Sequence, residues 1–256
     1  MPLFADFLVQ EIFTFLLIFV RIGAAFTVMP GFGEIFISPR VRLVLALAIS
    51  FVTMPMLGGY IPDMPDSIGM FVALIVKEAL IGIFLGILVR TLTSAMHVAG
   101  TIMATQSGLA NAQMFDFTMS GQTTAVSNTL SFSALVLVFA ADLHHIMLTG
   151  IMDSYQLIPV NDLASTQDMA FTMATYLNKT FYIGLKLASP FIAMALITNS
   201  GAGVLSRLMP NFQVFFVLMA PQIWVAFFVL LIALPSMMLW YLSYMEDGLS
   251  NLLISF

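Results

Sequence analysis

Asp142, His144 and His145, in D-L-H-H at 142–145, form the one cluster in this sequence whose residue types could do chemistry, as metal ligands or as a proton relay. On a helix, Asp142 and His145 stand at i and i+3 and share a face. A metal site or a relay needs more ligands than this neighbourhood offers, so the cluster reads as a hydrogen-bonded helix end, and the isolated His97 reads as structural too. The sequence contains no phosphate-binding loop, no nucleophile beside a base and no paired catalytic carboxylates. With no cysteine, thiolate nucleophiles, thiolate metal sites and disulfides are all removed. The expectation is a non-enzyme with no cofactor and no metal.

The elements that would position such groups are overwhelmingly apolar. Hydrophobic residues make up 61% of the 256 and charged residues only 8%, against about a quarter charged in a soluble domain. With 24 Phe and a mean hydropathy of +1.04, the chain belongs among proteins surrounded by lipid or by other apolar protein. The net charge of −5 comes from scattered acids, and the eight Lys and Arg form no basic patch, which excludes nucleic acid as a partner. The N-terminus lacks the basic start and small-residue cleavage site of a signal peptide, so the first apolar segment is expected to be retained.

Long helices follow from the patterning, and the predicted fold class is all-α and membrane-associated. Leu8 to Met29 is long enough to cross a bilayer, is interrupted only by Glu11 and Arg21, and is closed by Pro30-Gly31. Ser38-Pro39 reads as a helix start, giving a second helix over Val41 to Leu57. A turn-rich loop over 58–67 carries Asp63 and Asp66. Ile68 to about Ala104 predicts a third helix roughly 55 Å long against a bilayer core of about 30 Å, so it kinks or leaves the membrane. Within it Glu78, Gly82, Gly86 and Arg90 recur every fourth residue, and the two glycines allow another helix to approach closely. Glu78 and Arg90 are too far apart to pair with each other, so each needs a partner on another element. Lys77 and Glu78 both require partners, because an isolated charge in such a setting costs roughly 2.5 kcal/mol or more.

Val126 to Met152 is a fourth apolar segment, and a polar connection from Asp153 to Asp168 separates two halves. Met169 to Leu205 and Phe212 to Tyr244 then predict a helical hairpin turned at Gly201-Ala202-Gly203 and Met209-Pro210, with Pro190, Pro221 and Pro235 as kink candidates. A positive-inside reading places Arg40, Arg42 and Arg207 in the cytoplasm and the acidic stretches at 58–67, 153–168 and 246–247 outside.

Residues 105–124, T-Q-S-G-L-A-N-A-Q-M-F-D-F-T-M-S-G-Q-T-T, break this pattern, with Asp116 as their single charge. A water-exposed loop would carry more charge, and a lipid-facing segment could not hold this many amides and hydroxyls without internal partners. The remaining site is a cavity inside protein. A lining as neutral as Gln106, Ser107, Gly108, Leu109, Asn111, Gln113, Gly121 and Gln122 suits a conduit for unfolded chains, since fixed charges would hold or repel passing segments. Met114, Phe115, Phe117 and Met119 add bulky apolar groups able to close such a passage. The competing reading is a connecting loop.

Several blocks, in order, resemble the FliR/SctT family of export-gate subunits from flagellar and type III secretion systems. They are R-I-G-A-A-F at 21–26 with Pro30, S-P-R-V-R-L-V-L-A-L-A at 38–48, K-E-A-L-I-G-I-F-L-G at 77–86 and A-G-T-I-M-A-T-Q-S-G-L-A at 99–110. D-L-H-H-I-M-L at 142–148, K-L-A-S-P at 186–190 and S-R-L-M-P-N-F-Q-V-F at 206–215 complete the set. Two positions depart from the family pattern: Phe117 follows Asp116 where the family usually has Pro, and Asn211 and Gln213 exchange the family's two amides.

The resemblance implies one such chain completing a helical, funnel-like assembly with several FliP-like and FliQ-like subunits, beside FlhB- and FlhA-like components. Residues 1–152 would be FliP-like helices including the plug at 105–124, and 169–256 a FliQ-like hairpin with its tail. The assembly would sit in the bacterial inner membrane at the flagellar basal body, raised toward the periplasm, and pass unfolded export substrates on energy supplied elsewhere. Arg21, Arg40, Arg42, Glu78, Gly82, Gly86, Arg90, Lys186 and Arg207 would be subunit-packing positions. The four arginines among them at 21, 40, 42 and 207 either pair with a neighbour's acids or anchor helix ends by snorkelling. Lys179 and Lys186, seven apart, either order a partner's acids or form a solvated face. Two rival readings are a proton-coupled secondary transporter using Asp142, His144 or Glu78, and an intramembrane enzyme built on Asp142 and His145.

Overall fold

Ser38 does what its position predicts: extended at φ −63°, ψ 143°, its hydroxyl accepts from the Val41 amide and opens a helix with Pro39 in the first turn. A computed structural model describes residues 2–109, 125–160, 165–209 and 214–252, and among these the secondary structure is entirely helical. The helices are α1 (Pro2–Val28), α2 (Pro39–Leu57), α3 (Ile68–Gln106), α4 (Ala125–Ala140), α5 (Leu143–Leu157), α6 (Thr166–Leu187), α7 (Ser189–Leu208) and α8 (Val214–Leu252), with a short 3-10 turn at Gly58–Tyr60. Five are long and apolar enough to cross a membrane, six if the broken α4–α5 pair counts as one more.

The chain divides into two compact units, each assembled from separated stretches. The first comprises residues 1–92, 142–176 and 246–256; the second comprises 93–141 and 177–245. The division does not follow the polar connection between the two sequence halves.

In the first unit the buried apolar residues of α1 include Phe13, Leu17, Ile18, Ile22, Ala25 and Phe26, and those of α3 include Ile81, Leu85, Leu88 and Leu92. Backbones approach closely here because both helices present small residues. A methyl group at Gly82 would overlap the Arg21 carbonyl oxygen, and one at Gly86 would lie 2.8 Å from that of Ala25. α2 buries only Ala46, Ser50, Thr53 and Leu57, and leaves Val44, Phe51, Val52 and Met56 on an apolar outer face. Gln10 of α1 pins the following loop, donating to the Pro62 carbonyl at 3.1 Å and accepting from the Met64 amide at 2.9 Å.

In the second unit Ala95, Met96, Ala99 and Met103 of α3, Leu130, Ala134 and Val138 of α4, and Leu187, Phe191 and Met194 of α6 and α7 are buried. Thr180 on α6 and Tyr244 on α8 share a hydroxyl hydrogen bond of 3.0 Å, so these two helices run side by side.

Four expectations need correction. The fourth apolar segment is broken: Asp142 adopts φ 58°, ψ 14° between α4 and α5, a left-handed conformation that Asp tolerates better than most side chains. Helix reaches into both ends of the polar connection, α5 continuing to Leu157 and α6 beginning at Thr166. The first hairpin arm is two helices parted at Ala188, where Pro190 falls in the first turn of α7 and cannot donate to a preceding carbonyl. Gly201 and Gly203 lie inside α7 in open space, and residues 246–247 lie inside α8, which runs through Pro221 and Pro235.

The Gly82 contact makes a paired prediction. Gly82→Ala is expected to lower stability by about 1–3 kcal/mol, the cost of overpacking, whereas Gly201→Ala leaves it unchanged or raised, since helix propensity favours Ala. Thermal unfolding of the detergent-purified chain distinguishes them, and equal tolerance at the two positions would contradict the close α1–α3 approach.

Candidate functional site

The neutral segment leaves α3 through a built helix end. The Ser107 amide donates to the Met103 carbonyl at 2.9 Å, the Ser107 hydroxyl donates to Ala104 O at 3.1 Å, and the Gly108 amide donates to Thr105 O at 3.3 Å. Gly108 has φ 78°, the left-handed conformation that ends a helix at least cost in glycine. From α8, Gln222 Nε2 donates to the Gln106 carbonyl at 2.9 Å, satisfying one of the acceptors a helix end leaves over.

The far end of the segment is fixed where α4 meets α3. Ser127 is buried, its hydroxyl lies 2.9 Å from His97 Nδ1 and 3.0 Å from the His97 carbonyl, and Thr101 Oγ1 lies 3.3 Å from it. Gly100 lets α4 in: a methyl group there would sit 2.6 Å from Ser127 Cα. The serine–histidine distance is that of a nucleophile and base, but this hydroxyl is enclosed and holds one helix against another. Thus Gln106, Ser107, Gly108 and Leu109 stand at an anchored base. Asn111, Gln113, Met114, Phe115, Asp116, Phe117, Met119, Gly121 and Gln122 lie outside the described residues.

An open apolar groove of about 630 Å³ runs between α4 and α8 in the same unit. Leu130, Val136, Phe227 and Leu234 line it, with the hydroxyls of Thr129 and Ser133 as its polar contribution.

Glu78 and Arg90 each meet a partner on another element, as their spacing requires. Arg21 and Glu78 have no solvent exposure and pair within the chain, Arg21 Nε to Oε2 at 2.6 Å and Nη2 to Oε1 at 3.0 Å. Arg21 also donates to Ser154 Oγ at 3.0 Å and Ile158 O at 3.2 Å, and its Cζ lies 3.8 Å from the centre of the Tyr155 ring. The stripe expected to meet a neighbouring subunit through Glu78, Gly82 and Gly86 therefore meets α1 of the same chain, where a wholly enclosed charge has no surface left for an outside partner. Arg90 donates to Val28 O at the end of α1, Arg42 to Phe32 O and Glu34 O, and Lys77 to Pro159 O and Val160 O. Arg40, Lys186 and Arg207 are exposed.

Of the groups the rival readings require, Glu78 is engaged within the chain. Both oxygens of Glu78 are occupied by Arg21. The Asp142 side chain makes no capping hydrogen bond, while its carbonyl accepts from the His145 amide at 3.0 Å. Its Oδ1 lies 3.9 Å from His145 Nδ1, with both side chains more than two-thirds exposed. Asp142, His144 and His145 offer ligand atoms within 4.8 Å of one another, with Asp142 and His145 exposed and His144 half-buried.

Residues 12–248 match the sequence family described as "Bacterial export proteins, family 1". The chain is 33% identical over 207 residues to the flagellar biosynthetic protein FliR of Caulobacter vibrioides, covering 81% of this chain and 82% of that protein. FliR of Bacillus subtilis is 26% identical over 226 residues, covering 86% and 85%. FliR of Aquifex aeolicus is 27% identical over 241 residues, covering 93% and 92%.

Proposed function

The chain belongs to family 1 of the bacterial export proteins, and from that premise we propose that it is a non-enzymatic, membrane-embedded subunit of the flagellar protein-export apparatus whose neutral segment gates a passage for unfolded polypeptides. The observation that carries this reading is the extent of the family match, which spans the whole of the 105–124 segment together with both of its anchors. A left-handed glycine, an enclosed serine hydroxyl and an amide from α8 fix where the segment leaves α3.

In this reading Met114, Phe115, Phe117 and Met119 close the passage, and Gln106, Ser107, Asn111, Gln113 and Gln122 line it without fixed charge. The apolar outer faces of α2 and α8, with Phe51, Val52, Trp224, Phe228 and Leu231 exposed, meet lipid or the FliP-like and FliQ-like subunits of one assembly. FlhB- and FlhA-like components and the exported chains complete the partner set. Residues 1–152 are the FliP-like portion and 169–256 the FliQ-like hairpin, which the side-by-side course of α6 and α8 supports. The assembly sits in the inner membrane at the flagellar basal body.

The test is blue-native electrophoresis of a tagged chain in its flagellated host, with mass spectrometry of the migrating band. FliP-like and FliQ-like subunits are expected in one large complex. A chain that migrates alone and transports a small solute after reconstitution would overturn the reading.

A further inference from the structure

Lys186 stands apart from every other basic residue placed above. It is exposed, in the last turn of α6, and no described carboxylate pairs with it. Its described partners are aromatic: Nζ lies 4.2 Å from the centre of the Trp240 ring and 5.8 Å from that of Tyr182. An ammonium held against two ring faces keeps its charge and leaves its outer side free for an anion.

The surroundings specify which anion. An open, almost wholly apolar channel of about 540 Å³ is lined by Leu185, Lys186, Ser189, Ile192, Ala193 and Leu196. α7 is itself apolar enough to cross a membrane, whereas α6 before it is not among the helices that are. By length and composition the junction marks the end of a candidate span, the depth at which Trp, Tyr and Lys collect beside headgroups. Charge complementarity favours a phosphodiester at Lys186, and the apolar channel favours an acyl chain below it.

We propose that Lys186, Ser189, Tyr182 and Trp240 form a binding site for one anionic phospholipid, the headgroup phosphate at the Lys186 ammonium and an acyl chain in the groove along α7. The site requires no export activity and stands independently of the gate assignment.

The chain has two tryptophans, so Trp224→Phe leaves Trp240 as its only one, already positioned beside the proposed headgroup. The full-length Trp224→Phe chain is reconstituted into phosphatidylcholine vesicles carrying the same minor fraction of brominated lipid, either phosphatidylglycerol or phosphatidylcholine. Brominated phosphatidylglycerol is expected to be enriched at Trp240 by about five-fold, the ratio that ~1 kcal/mol per basic residue gives, and to quench correspondingly more. Lys186→Gln abolishes the preference and Lys186→Arg retains it, with helix content by circular dichroism unchanged in both. Equal quenching by the two lipids, or a preference that survives Lys186→Gln, overturns the site. So does complete protection of Trp240 from both lipids, which would place the α6–α7 junction away from the bilayer.

Discussion

Glu78→Ala is expected to cost about 3–5 kcal/mol of stability and to remove the protein from the membrane fraction. Arg21 and Glu78 are both fully enclosed and meet in a two-point fork. The guanidinium is then completed by Ser154, the Ile158 carbonyl and the Tyr155 ring. One side chain of α1 thereby holds α3 and the end of α5. Removing the carboxylate leaves a buried cation that cannot lose its proton, and neither lipid nor the apolar core can solvate it. The double variant Arg21→Met, Glu78→Leu removes both charges and is expected to recover most of the loss, because well-packed apolar groups often replace a buried pair at little cost. Thermal unfolding of the purified chain reads both. A single variant as stable as the parent, or a double variant no better than the single, would contradict this account of the core.

Replacing Met114, Phe115, Phe117 and Met119 together by alanine is expected to turn a closed membrane into one with a steady ion leak, while export of substrate continues. The reason is the division of labour proposed for the segment: bulky side chains occlude, and neutral polar ones line. A narrow apolar constriction excludes water and ions without any charge, so truncating it admits both and leaves the lining intact. Gln222→Leu should leak less, since it loses only the amide that satisfies the Gln106 carbonyl at the base. Ion flux and swimming halos of complemented strains measure the two properties separately. Lost export without leak would assign these residues to assembly instead.

Local signals carried much of the architecture. Ser38-Pro39 marks the start of α2 because capping is decided within four residues, and the four-residue recurrence of Gly82 and Gly86 marks a close-packed face. The glycine stripe could not say which helix it would meet: the answer lies in R-I-G-A-A-F of α1, and Arg21 and Glu78 are 57 residues apart. The break at Asp142 was illegible because the run from Val126 to Met152 has neither proline nor a glycine near it, and the left-handed turn rests on an aspartate. Gly201 and Gly203 carried the opposite error, reading as a turn although nothing in their surroundings bends the helix there. Gln222, Ser127 and Thr101 were missed for one reason: a lone amide or hydroxyl in an apolar run has no spacing signature, and its partner is known only once the helices are packed. The D-L-H-H block named the right cluster but not its exposure.

The most direct test of the gate assignment places a photo-reactive residue at 115 and stalls a fused export substrate in flagellated cells. Illumination is expected to join the chain to the stalled polypeptide, with no such adduct when the substrate lacks its export signal. Adducts to lipid or to soluble cytosolic proteins alone, whether or not a substrate is stalled, would contradict the central claim.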